Sequence, residues 1–119
     1  MHQAAATARA LIPEIVSRLA KFFPQATPVR IPIRLSRTEG SGNDREHTFL
    51  QETVIEFGTA REVLFAIERP LEFADRVLLE SRDGTLRAEA SVVAVQYHPE
   101  RTVIAARFLK DVPNWIVKP

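Results

Sequence analysis

The sequence predicts a mostly β chain: a small six-stranded antiparallel β-barrel with an N-terminal helix. Three observations predict it. Between Pro28 and Leu109, short apolar runs are divided by turn signals at Gly40–Asp44, Gly58–Thr59, Asp83–Gly84 and His98–Pro99. The first of these runs alternates apolar and polar residues with the period of a strand. The one helical segment precedes them all. With no β–α–β alternation, a parallel nucleotide-binding sheet is not expected.

Each element follows from its own residues. Ala8, Leu11, Ile12, Ile15, Val16, Leu19, Phe22 and Phe23 recur at the three-and-four spacing of one helix face, with Arg9, Glu14, Arg18 and Lys21 on the other. Pro13 either starts the helix proper, since proline is tolerated in a first turn, or kinks a longer helix; a start near Pro13 after a frayed or short helical lead-in is the favoured reading, and Pro24 ends it. The apolar stripe fits docking on the barrel; a dimer or partner surface is its alternative use.

The first strand covers Pro28 to Arg37. Val29, Ile31, Ile33 and Leu35 face one way, and Arg30, Pro32, Arg34 and Ser36 the other. Pro32 lacks an N–H, which predicts an edge or bulge there. The second strand runs from His47 to Phe57, the third from Glu62 to Glu68 and the fourth from Asp75 to Ser81. Asp83-Gly84 predicts a hairpin with positive φ angles, joining the fourth strand to a fifth from Leu86 to Tyr97. The sixth runs from Arg101 to Leu109, and Trp115, Ile116 and Val117 are expected to fold back on the body. The expected organisation is a helical segment over residues 1–24, a barrel over 25–112 and a tail over 113–119.

Composition limits the chemistry. Sixteen basic and fifteen acidic residues leave a net charge of +1, which argues against bulk electrostatic binding of DNA or an anionic membrane. There is no cysteine, hence no disulfide, thiolate nucleophile or cysteine zinc site. No run reaches the ~20 apolar residues of a membrane span, and the first ten residues do not read as a signal peptide. A cytoplasmic protein without membrane insertion is expected. His2, His47 and His98 lack metal-ligand spacing, the serines lack a nucleophile-elbow context, and Gly40 and Gly42 precede no phosphate-binding helix. No catalytic residue, metal or cofactor is expected, and the chain is not expected to be an enzyme. The few aromatic residues, 8%, disfavour a stacking platform for single-stranded nucleic acid, and Phe49, Phe57, Phe65 and Phe108 fall at core-like positions. Lys21, Arg30, Arg34 and Arg37 crowd the join between helix and first strand. Arg30 and Arg34 share a face, where two guanidinium forks can grip phosphates or guanine edges. The competing reading pairs them with Glu52, Glu56 or another acid across the strand.

Pro28-Val-Arg-Ile-Pro-Ile-Arg-Leu35, Glu52 to Phe65, Glu68-Arg-Pro-Leu71 with Asp75-Arg-Val-Leu-Leu79, Ala88 to Val95 and Val103 to Leu109 together resemble the PilZ domain across residues 21 to 112. The tail from Phe108 to Trp115 resembles the end of some members. The resemblance implies a six-stranded antiparallel barrel and membership of a bacterial signalling family, many members of which bind cyclic di-GMP. Two family motifs carry that ligand: Arg-x-x-x-Arg before the first strand, and Asp/Asn-x-Ser-x-x-Gly before the third. Here Lys21 and Gln25 fall at the arginine positions, and Phe57-Gly-Thr-Ala-Arg-Glu62 stands at the second motif. Thr59 keeps a hydroxyl, Phe57 replaces the acid or amide, and Glu62 replaces the glycine. Losing one bidentate arginine costs about 1–3 kcal/mol, or about tenfold to a hundredfold in affinity.

The expectation is therefore a PilZ-like, non-enzymatic signalling adaptor with weak or absent cyclic di-GMP binding. It would meet a protein partner or a second copy through the N-terminal helix. The alternative is a cyclic di-GMP receptor with atypical contacts from Lys21, Gln25, Arg30, Arg34, Thr59 and Arg61.

Overall fold

The computed structural model describes the backbone of residues 3–39, 46–113 and 115, and the side-chain surroundings of 12–38, 50–113 and 115. One helix, α1 (Gln3–Ala20), precedes six strands: β1 (Thr27–Glu39), β2 (Glu46–Gly58), β3 (Glu62–Ile67), β4 (Arg76–Ser81), β5 (Arg87–Tyr97) and β6 (Thr102–Phe108). They form a closed antiparallel barrel in the order β1-β2-β3-β6-β5-β4, with β1 also pairing β4 from Ile33 against Ser81 to Arg37 against Val77.

The helix departs from the favoured start at Pro13 and takes the longer course. It continues through Pro13 and stops at Ala20. Proline has no N–H, so the carbonyl of Arg9 loses its usual amide donor. Helix burial offsets that loss farther along: Val16 is fully buried and Leu19 nearly so. Phe22 and Phe23 lie beyond the helix in a turn, where their amides bond the carbonyls of Leu19 and Ala20 at 3.0 and 2.9 Å.

β3 and β6 explain where α1 sits. Val63, Phe65 and Ile67 alternate with Leu64 and Ala66, and both sets are buried. The first set fills the barrel interior with Ile104 and Ala106 of β6. The second set faces outward with Val103 and Ala105 and is covered by Val16 and Leu19 of α1. A strand buried on both faces must be apolar without alternation, as these are. The small Ala66 and Ala105 let the helix lie close to the sheet. Burying Val16 and Leu19 contributes about 1.5–3 kcal/mol each.

Bulges curl the sheet into a barrel. They interrupt the register between Pro28 and Ile31, Leu35 and Ser36, Ile55 and Phe57, and Val92 and Ala94. Two of them break the alternation expected for β1. Arg30 takes a left-handed conformation with φ 57°, and Ser36, expected to face outward, is buried at 7% exposure beside the fully buried Leu35. The hairpin at Asp83-Gly84 carries its positive φ on Gly84 alone (80°), so Asp83 contributes a carboxylate and not a left-handed backbone. Phe65 and Phe108 are in the barrel core and Phe57 packs partly buried under α1. The side chain of Phe49, and Ile116 and Val117, lie outside the described residues.

The tail seals one end. Trp115 is 8% exposed, packs edge-on against Phe108 at 5.4 Å between ring centroids, and donates its indole N–H to the carbonyl of Thr59 at 3.0 Å. Its ring lies on Gly58, where a β-carbon would collide with it. Among the described residues, no helix is long and apolar enough to cross a membrane.

Candidate functional site

The β2–β3 connection is a four-residue turn, Thr59 to Glu62, held by its first side chain. The Thr59 hydroxyl accepts the amides of Arg61 and Glu62 at 3.0 and 2.9 Å and donates to Glu62 Oε1 at 2.5 Å. One donor and two lone pairs are all a hydroxyl has, so Thr59 has nothing left to offer a ligand. Its amide also donates to the Glu62 carbonyl at 2.9 Å.

Glu62 is the centre of the turn. Its Oε2 accepts from Arg107 Nε at 2.9 Å and lies 2.8 Å from Arg107 Nη2, and its side chain is only 12% exposed. The pairing of β3 with β6 sets Glu62 directly opposite Arg107. This two-pronged arginine contact neutralises the carboxylate and fixes it in place.

The turn faces the chain leaving α1. Between them lies a cleft of about 450 Å³, lined by Phe22, Phe23, Pro24, Gln25, Thr59, Ala60, Arg61, Glu62 and Arg107. Three of the sequence-derived site residues, Gln25, Thr59 and Arg61, therefore meet in one place. Lys21 is exposed next to Phe22 but does not line the cleft. Arg61 is exposed and makes no ion pair with a described residue.

Arg30 and Arg34 are elsewhere. Arg30 Nε lies 3.9 Å from Oε1 of Glu56, one of the acids expected opposite it. Arg34 is flanked in register by Glu52 on β2 and Glu80 on β4. It lines a separate groove of about 310 Å³ with those two acids, Ser81 and Arg82, and Arg82 pairs with Glu52 at 3.1 Å. Acidic neighbours therefore attend both arginines, and the bulge at Arg30 breaks the spacing that would make them a matched fork.

Glu56, on β2, is buried at 6% exposure. It sits where both neighbouring ladders slip, against the bulge at Arg30 on one side and between Ile55 and Phe57 on the other. Burial raises its pKa above the ordinary carboxylate value, and Arg30 opposes that rise in part.

Arg107, Phe22 and Phe23 belong to the cleft and were not among the expected site residues. Arg107 is forty-five residues from Glu62 and meets it only through the β3–β6 ladder. The one available signal was charge: Glu62 opens the third strand and Arg107 nears the end of the sixth, so an antiparallel pairing brings them together. No family model, curated protein or solved structure matches this chain.

Proposed function

We propose that the chain is a PilZ-like, non-enzymatic signalling adaptor that binds cyclic di-GMP weakly or not at all. The observation that carries the reading is the closed hydrogen-bond set of the β2–β3 turn. In that turn the family motif offers a serine hydroxyl and a glycine to the ligand. Here the Thr59 hydroxyl is saturated within the turn, and Glu62 occupies the glycine position, held by Arg107. Phosphates would have to displace a carboxylate from its guanidinium and then sit beside it. On the opposite wall, Gln25 supplies no charge. With its ligand groups engaged internally, the cleft presents Phe22, 73% exposed, and the guanidinium of Arg61, which suits contact with another protein.

Isothermal titration of cyclic di-GMP at low salt tests this reading. The expected result is no binding tighter than about 100 µM. Binding at or below about 1 µM overturns it. In that case Arg61→Ala and Arg107→Ala would separate a receptor using the cleft from one using Arg30 and Arg34.

A further inference from the structure

We infer that the groove from Phe22 to Lys110 docks an acidic segment of a partner protein that carries a bulky apolar side chain beside its carboxylates. This rests on the adaptor reading above and adds the chemistry of the partner. The groove consists of two adjoining hollows that share Ala60, Arg61 and Arg107. The larger, about 450 Å³, reaches Phe22, and the smaller, about 70 Å³, reaches Lys110.

Charge selects the occupant. Arg61 and Lys110 are exposed, and neither makes an ion pair with a described residue. Arg107 keeps its side chain half exposed, at 52%, while two of its nitrogens hold Glu62. Its remaining N–H groups are left for a second carboxylate. Of the acids among the described lining residues, Glu62 is already engaged and the exposed Asp111 opposes the cations. The uncompensated charge is positive.

Shape selects an extended chain over a compact ligand. Phe22 stands at one end with its backbone fixed by the bond to Leu19, while its neighbour Phe23 packs into the helix–barrel contact. Its ring is presented without being used internally. Leu109, 42% exposed, lies at the other end beside Lys110. Cations between two apolar contacts match a peptide with carboxylates near a Leu or Phe side chain. A nucleic acid strand would want several stacking aromatics along the path, and among the described lining residues Phe22 is the one exposed ring.

The test is a phage-displayed random peptide library panned on the full chain, followed by anisotropy titration of the enriched peptides after synthesis. The expected result is enrichment of acidic peptides containing a bulky apolar residue. Their affinity should fall about tenfold or more in Arg61→Glu and in Phe22→Ala, and with added salt. It should hold in Arg76→Glu, which changes an exposed cation on β4 outside the groove. Failure to enrich any peptide overturns the proposal, as does enrichment of neutral or basic ones, or binding indifferent to Arg61 and Phe22. Competition by an oligonucleotide, or by the protein itself, with the same dependence on both residues would replace the acidic partner by that occupant and overturn it too. The two readings fail separately. Cyclic di-GMP that binds and displaces the peptide removes the first and leaves the groove. An empty library with no cyclic di-GMP binding removes the groove and leaves the first.

Discussion

Glu56 shows how a single residue can weaken a fold at neutral pH. Its folded pKa lies above the unfolded value because burial disfavours the charge. Between those two values the folded state holds more protons than the unfolded one, so stability falls as pH rises through that window. Below the ordinary carboxylate range the group is neutral in both states and this contribution is complete. Glu56→Gln is therefore expected to melt at or above the wild-type temperature at pH 7. That advantage should shrink as the pH drops toward 4, as followed by thermal denaturation across a pH series. A variant less stable than wild type at pH 7 would mean that Arg30 stabilises the charge more than burial costs it. Gly58 is constrained differently. Its backbone is ordinary, and only the Trp115 ring forbids a side chain. Gly58→Ala is expected to cost about 1–3 kcal/mol by displacing that ring, read from the urea midpoint. Trp115→Ala should cost about 3–5 kcal/mol.

Among the elements, the β4–β5 hairpin was the most readable in the sequence, because its turn chemistry is local. Asp83 accepts the amide and hydroxyl of Thr85 at 3.0 and 2.7 Å and the hydroxyl of Ser81 at 2.7 Å. These bonds, those from Thr85 first, lower its pKa to about 2. The contribution of this carboxylate is complete above about pH 4 and is lost as pH falls toward 2. A carboxyl-carbon titration by NMR should place the Asp83 midpoint near 2, and Thr85→Ala should move it up toward the ordinary value of 3.8. β1 was only half readable. Its alternation gave the correct inward set of Ile33 and Leu35, and Pro32 pointed to an edge or bulge, but the places where the register slips, before Ile31 and at Ser36, depend on the partner strand. That is why Ser36 was expected outside and why Arg30 and Arg34 read as a matched pair. The helix misled for a related reason: Pro13 is a local obstacle, and the burial that overrides it is supplied by β3 and β6.

At the scale of the molecule, α1 is a cover for the outer faces of β3 and β6. Placing a carboxylate at the fully buried Val16 should detach it. Val16→Asp is expected to lose about 3 kcal/mol or more and to bind a hydrophobic dye through the uncovered Leu64, Ala66, Val103 and Ala105. Unchanged melting and no dye binding would mean that the barrel stands without its helix. The closed barrel followed from counting apolar runs and turns, whereas the cleft did not, since Gln25, Arg61 and Arg107 meet only after the chain has closed on itself. One consequence of the sealed end concerns observation itself. The chain has a single tryptophan, and its indole N–H is bonded to Thr59, on the turn whose other residues line the cleft. Whatever enters the cleft and shifts that turn changes the polarity and hydrogen bonding of the only indole. The protein therefore carries its own optical reporter of occupancy, and its emission spectrum can follow ligand arrival without a label.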